Sequence, residues 1–142
     1  MRFPVILRDK LLRGEIELPD DTKFFYKPIK AYRCVMREPD DFRPVTADDF
    51  KSYAELGRRC KRGQTYDVNS PNYYGVSCFV RKEIVENLMG FPNSHKKIAA
   101  GYVFCQGGPQ QSNEATGHVC WWLFENADLS GFSVTEEGMG IE

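Results

Sequence analysis

Lys97-Ile98-Ala99-Ala100-Gly101-Tyr102-Val103-Phe104-Cys105 and His118-Val119-Cys120-Trp121-Trp122-Leu123-Phe124 are the two stretches whose reading decides the fold. Neither alternates between polar and apolar residues, so each reads as a strand covered on both faces. Gln106 to Gly117, rich in Gly, Gln and Asn, joins them, and the pair is therefore read as a hairpin in the middle of a packed sheet. Trp121 and Trp122 are adjacent and must point to opposite faces of a strand. Both are assigned to the core; an indole left on display would instead make a stacking platform.

Working outward, helical spacing of Val5, Ile6, Leu7, Leu11 and Leu12 predicts a short helix over Val5–Arg13, with Gly14 where a left-handed cap sits. Glu15–Pro19 reads as an edge segment, and Ile29–Arg37 as a strand stopped by the turn sequence Glu38-Pro39-Asp40-Asp41. Thr46 is a natural N-cap with Asp48 and Asp49 in the first turn, which predicts a helix from Ala47 to about Arg59. Lys61–Asn72 reads as a loop and Tyr73–Val80 as a strand. Arg81–Met89 reads as a second main helix, capped by Gly90. A last short strand is placed at Ser133–Thr135, and residues 135–142 read as a flexible tail. The fold expected is one α+β domain, residues 1–142: about five strands in a mixed or mostly antiparallel sheet, with two main helices packed on it.

Composition supports that size of core. With 142 residues, 42% of them hydrophobic, the chain can bury a core without disulfides or metals. A net charge of -1 and a pI of about 6.1 give no global field for nucleic acid. The N-terminal apolar run is broken by Arg8, Asp9 and Lys10, too early for a signal sequence, and nothing approaches the roughly 18 apolar residues of a membrane span. A cytoplasmic protein with no membrane partner is expected. The five cysteines include no Cys-x-x-Cys pair and read as reduced small hydrophobes; Cys60, set among Arg58, Arg59, Lys61 and Arg62, is the one whose thiol those cations would activate if exposed.

Few residues carry a chemical signature. His118 opens a strand after a flexible loop, where an imidazole can face a cleft, while His95 lies in a polar loop; their spacing fits no metal site. The Gly107-Gly108-Pro109 turn lacks the Lys-Ser/Thr of a phosphate loop. Arg33 and Ser77 are polar residues inside apolar strands, and Arg33 there calls for an acidic or phosphate partner. The cations Arg58, Arg59, Lys61 and Arg62 could hold an anion if they converge.

With Arg33 after Tyr32, Ser77 in Tyr74-Gly75-Val76-Ser77 and Glu125 after Trp121-Trp122-Leu123-Phe124, the chain resembles the ADP-ribosyltransferase toxin class. That resemblance implies an NAD-using enzyme in which Arg33 holds the phosphates, Ser77 orders the site and Glu125 stabilises the ribosyl cation, with His118 beside them. It lacks that class's Ser-Thr-Ser run and Glu-x-Glu or Gln-x-Glu pair.

Because no catalytic signature stands out, the reading favoured is a small cytosolic bacterial-type interaction protein: an inhibitor, immunity or regulatory module without a cofactor. It would bind another protein through the 106–117 loop and nearby aromatics, with Gly107, Gly108, Gln110, Gln111, Asn113, Trp121 and Trp122 as contacts. The NAD-using transferase is the alternative. A nucleic-acid-binding module built on Arg58, Arg59, Lys61, Arg62 and an exposed Trp is third.

Overall fold

Two eight-residue strands, β1 (Ile29–Met36) and β5 (Lys96–Val103), pair antiparallel along their whole length, from Ile29 opposite Val103 to Met36 opposite Lys96. They sit inside a six-stranded sheet of the computed structural model, which describes residues 2–61 and 63–135. β4 (Val76–Phe79) lies on the other side of β1, followed by β7 (His118–Trp121) and the edge strand β6 (Gln110–Asn113); β8 (Ser133–Val134) closes the opposite edge. All the neighbouring strands run antiparallel. A separate two-stranded ribbon joins β2 (Cys60–Lys61) and β3 (Gln64–Thr65). The fold is α+β, with a mostly antiparallel sheet.

The hairpin expected from the two apolar stretches does not form. β5 and β7 are separated by β1 and β4. β5 has a full-length partner in β1, and the connection between β5 and β7 is long enough to carry the chain past both. That connection is not a loop: it holds a 3₁₀ turn at Cys105–Gly107 and then β6. Gly108 makes the turn possible, since its φ is 140° and a Cβ there would lie 2.1 Å from the Trp122 carbonyl oxygen.

The helix expected over Ala47–Arg59 is broken in two. Ala47–Phe50 is a 3₁₀ turn and α2 is the single turn Tyr53–Leu56, with Lys51 and Ser52 extended between them. Each piece has its own reciprocal cap. The Asp49 carboxylate accepts the Thr46 amide (3.0 Å), and six residues on the Ser52 hydroxyl accepts the Glu55 amide (3.2 Å) while the Glu55 carboxylate accepts the Ser52 amide (3.0 Å). Gly57, at φ 70°, then ends the turn, so Arg58 and Arg59 follow the helix and do not complete it. The strand expected at Tyr73–Val80 begins only at Val76, because Pro71–Tyr74 forms a 3₁₀ turn capped by Ser70.

The two longer helices are α1 (Val5–Leu12) and α3 (Lys82–Leu88). α1 stops as its sequence predicts: the amides of Gly14 and Glu15 donate to the carbonyls of Leu11 and Lys10 across a left-handed Gly14. The sheet is covered on both sides. Trp121 lies on one face with Ala31, Val35, Phe50 and Phe132; Trp122 lies on the other with Leu7, Ala54, Tyr73 and Tyr74. Both indoles are fully buried. Among the described residues no helix is long and apolar enough to cross a membrane. The tail placed at 135–142 lies outside the described residues beyond Thr135.

Candidate functional site

Helices and turns cover the second face of the sheet in two separate apolar patches. α1, α2 and the 71–74 turn cover Cys120 and Trp122, and α3 covers Phe79 and Ile98. On that face β4 presents Ser77 and Phe79 and β7 presents His118 and Cys120, by register and alternation. Ser77 and His118 therefore sit between the patches. The Ser77 Oγ lies 2.9 Å from the His118 Nε2.

His118 is placed by the turn before it. The Asn113 Oδ1 accepts the amides of Ala115 and Thr116, and Gly117, at φ 74°, donates its amide to the Asn113 carbonyl at 2.8 Å. A Cβ on Gly117 would come within 2.7 Å of the Ile84 side chain, so the approach of α3 as well as the turn demands glycine. The imidazole packs beside the Phe79 ring at 5.2 Å and is half-buried, which pushes its pKa below the ordinary 6.5. At neutral pH the ring is uncharged and can accept a proton.

Beside His118 opens a polar cleft of about 680 Å³. β6 forms one wall from Gln110 to Asn113, with Glu114 at its end, and Asp21, Lys23 and Asn72 contribute the rest. Gln111 donates to the Asp21 Oδ1 at 2.8 Å, tying the Asp20–Lys23 segment to β6. Lys23 extends that tie as an isolated bridge to Gln110, its amide donating at 2.7 Å and its carbonyl accepting at 3.0 Å. These cleft residues other than Gln110, Gln111, Asn113 and His118 carry no motif; only the Pro19-Asp20-Asp21 turn hints that Asp21 is turned outward.

The expected site residues divide sharply. Arg33 is held by two backbone carbonyls and an aromatic ring. Its Nε donates to the Asp49 carbonyl (2.8 Å), its Nη1 donates to the Ser77 carbonyl (2.7 Å), and its guanidinium lies over the Phe50 ring. It follows Tyr32, which is paired with Phe79, so it leaves the opposite face from the Ser77 hydroxyl. Glu125 is engaged elsewhere, within 3.6 Å of Arg2 and 3.9 Å of Arg8, and its amide donates to the Arg2 carbonyl. Arg33, Ser77 and His118 are thus linked, with Arg33 joined through backbone alone, and Glu125 is not among them.

Gly107, Gly108, Trp121 and Trp122 are buried; Gln110 is largely buried but lines the cleft together with Gln111 and Asn113. The Trp121 Nε1 donates to the Gly108 carbonyl and the Trp122 Nε1 to the Pro71 carbonyl, leaving no indole on display. Arg58 and Arg59 are exposed on the segment before the ribbon, Lys61 falls in β2, and Arg62 lies outside the described residues. Cys60 is exposed, whereas burial pushes the thiols of Cys78 and Cys120 up to about 11 and about 12 and leaves them inert at neutral pH. His95 pairs with Glu38 at 2.9 Å, apart from His118, and no group of three metal-ligating side chains occurs among the described residues.

Set against known protein families, curated proteins and solved structures, the chain finds no match in any of the three.

Proposed function

We propose that the chain is a protein-binding module that takes an extended segment of its partner along the outer edge of β6, over the polar cleft. One observation carries this reading: the 106–117 stretch is folded into the sheet, and its strand ends the sheet without a full partner. The carbonyls of Pro109 and Asn113 accept amides from the β7 side, so Gln110 and Ser112 turn their amides and carbonyls outward. Gln110 is bridged by Lys23, and among the described residues no bridge continues to Ser112. A strand with outward polar backbone is a template for another chain, and side chains at alternate positions supply selectivity. Here those side chains are Gln111 and Asn113.

The transferase alternative needs a carboxylate beside Ser77, and Glu125 lies with Arg2 and Arg8 instead. Of the basic cluster Arg58 and Arg59 are exposed among the described residues, and both indoles that nucleic-acid binding would use are buried.

Ser112→Pro tests the edge. Proline is tolerated on an edge strand where its missing amide faces outward, so the β6–β7 ladder survives while docking is blocked. A displayed library of extended peptides should enrich sequences that bind the parent chain and lose at least about tenfold in affinity, about 1.4 kcal/mol, on Ser112→Pro. Equal binding to both proteins, with amide shifts away from Gln110–Glu114, would refute the edge.

A further inference from the structure

We propose that Ser77 is a nucleophile with His118 as its base, and that the chain transfers the acyl group of a small carboxylic ester to the Ser77 hydroxyl. The inference shares the polar cleft with the edge-strand reading but rests on other groups, the Ser77 and His118 side chains on the face of the sheet. A serine hydroxyl is a weak nucleophile until a base within hydrogen-bond reach takes its proton. The 2.9 Å separation of Ser77 Oγ and His118 Nε2 meets that requirement. With the ring neutral and its proton on Nδ1, Nε2 is the acceptor.

Three other serine hydroxyls are put to structural use: Ser52 and Ser70 accept backbone amides at turn starts, and Ser112 donates to Gln110. Ser77 bonds an imidazole instead, and it is exposed although it sits in mid-strand between two buried neighbours. The pair is also held rigidly. Arg33 anchors the Ser77 carbonyl where β4 has only its Tyr32–Phe79 pairing with β1, and Phe79 and the Gly117 turn fix the imidazole. The adjoining cleft gives a substrate room beside His118.

In the first step Oγ attacks the acyl carbon while Nε2 takes the hydroxyl proton; the bond from that carbon to the alkoxy oxygen breaks, and the alcohol leaves with the proton from Nε2. Water then attacks the Ser77 ester, His118 takes the water proton and returns it to Oγ, and the carboxylic acid departs. Among the described residues no carboxylate bonds the His118 Nδ1, the contact that supports the imidazolium in a full triad. The substrates expected are therefore esters with good leaving groups, such as aryl esters, and not amides.

A fluorophosphonate probe, from which a serine Oγ displaces fluoride, tests this on the full chain and on Ser77→Ala and His118→Gln. The expected result is a single adduct mapped to Ser77 by peptide mass spectrometry, absent from Ser77→Ala and formed about 100-fold more slowly in His118→Gln. p-Nitrophenyl acetate should give a burst of nitrophenol equal to one acyl group per chain. No adduct on Ser77, or one that forms as fast without His118, overturns the proposal. Should His118→Gln fail to fold, the parent chain decides alone: labelling at Ser77 no faster than at N-acetylserinamide overturns it too.

Discussion

The two faces of the sheet are built on opposite plans. On one, Trp121, Phe50 and Phe132 form an aromatic cluster, with centroids 4.8–6.2 Å apart, that continues through Ala31, Val35, Ala99, Val103 and Val119 into a single core. On the other, apolar cover comes in two pieces, and the polar pair Ser77–His118 occupies the gap. A continuous core makes stability cooperative; a divided one leaves room for a site. The molecule keeps its polar groups where removing them disturbs neither patch.

This contrast can be broken by mutation. Trp121→Ala and Phe132→Ala should each lower stability by about 3–5 kcal/mol, measured by urea unfolding. Combined, they should fall short of the sum by at least about 0.5 kcal/mol, because they share one cluster. Leu7→Ala and Val85→Ala, one from each patch of the divided face, should add to within about 0.5 kcal/mol. Additivity on the first face or strong coupling on the second would erase the distinction.

The first face is closed by the segment carrying Val45 and Phe50, which is fastened by Arg37 to Asp49 through two 2.8 Å bonds, both side chains largely buried. Burial alone would raise the Asp49 carboxyl, but the bonds from Arg37 and the Thr46 amide outweigh it and hold the pKa below the ordinary 3.8. The pair's stabilisation is therefore complete above pH 3.8 and disappears as pH falls through the lowered value. Arg37→Ala should cost about 3–5 kcal/mol at neutral pH by leaving a buried carboxylate unpaired, with much less difference from the parent chain in acid. Removing the second cap, Ser52→Ala, should cost about 1 kcal/mol.

The smallest effects belong to the gap. Ser77→Ala should leave stability within about 0.5 kcal/mol, since the side chain is exposed and its carbonyl bond to Arg33 is kept. An NMR titration should place the His118 midpoint below 6.5. Its burial as a neutral ring stabilises the fold above pH 6.5, and that contribution is lost as pH falls through the lowered value.

Which features could be read from sequence follows from how far apart the interacting residues lie. The α1 stop at Gly14 and the burial of both tryptophans are local, and one apolar run was enough to place the indoles on opposite covered faces. Strand partnership is not local: the two apolar runs each look central, yet β5 pairs with the eight-residue β1 and β7 with the four-residue β4 and β6, and β1 and β4 lie between them. The break within Ala47–Arg59 was legible, because Ser52-Tyr53-Ala54-Glu55 is a second capping box, but the first box and the apolar stripe obscured it. At the site, Ser77 and His118 stood out singly as polar residues at apolar strands. Their pairing depends on a diagonal contact between β4 and β7, and Arg33 satisfied its charge with backbone carbonyls that no residue pattern records.

The strand order has a consequence for how the chain is made. Ile29–Met36 cannot find its long neighbour until Lys96–Val103 has left the ribosome, and the β7 partner of Val76–Phe79, His118–Trp121, emerges later still. Of the ladders in the large sheet, the one between β6 and β7 joins strands that are close in the chain, and it is nearly the last to be synthesised. Closure of so many distant loops is slow compared with helix formation. Newly made protein should therefore carry its N-terminal helix ahead of any sheet, and protease resistance should arrive in one step after Trp121 emerges.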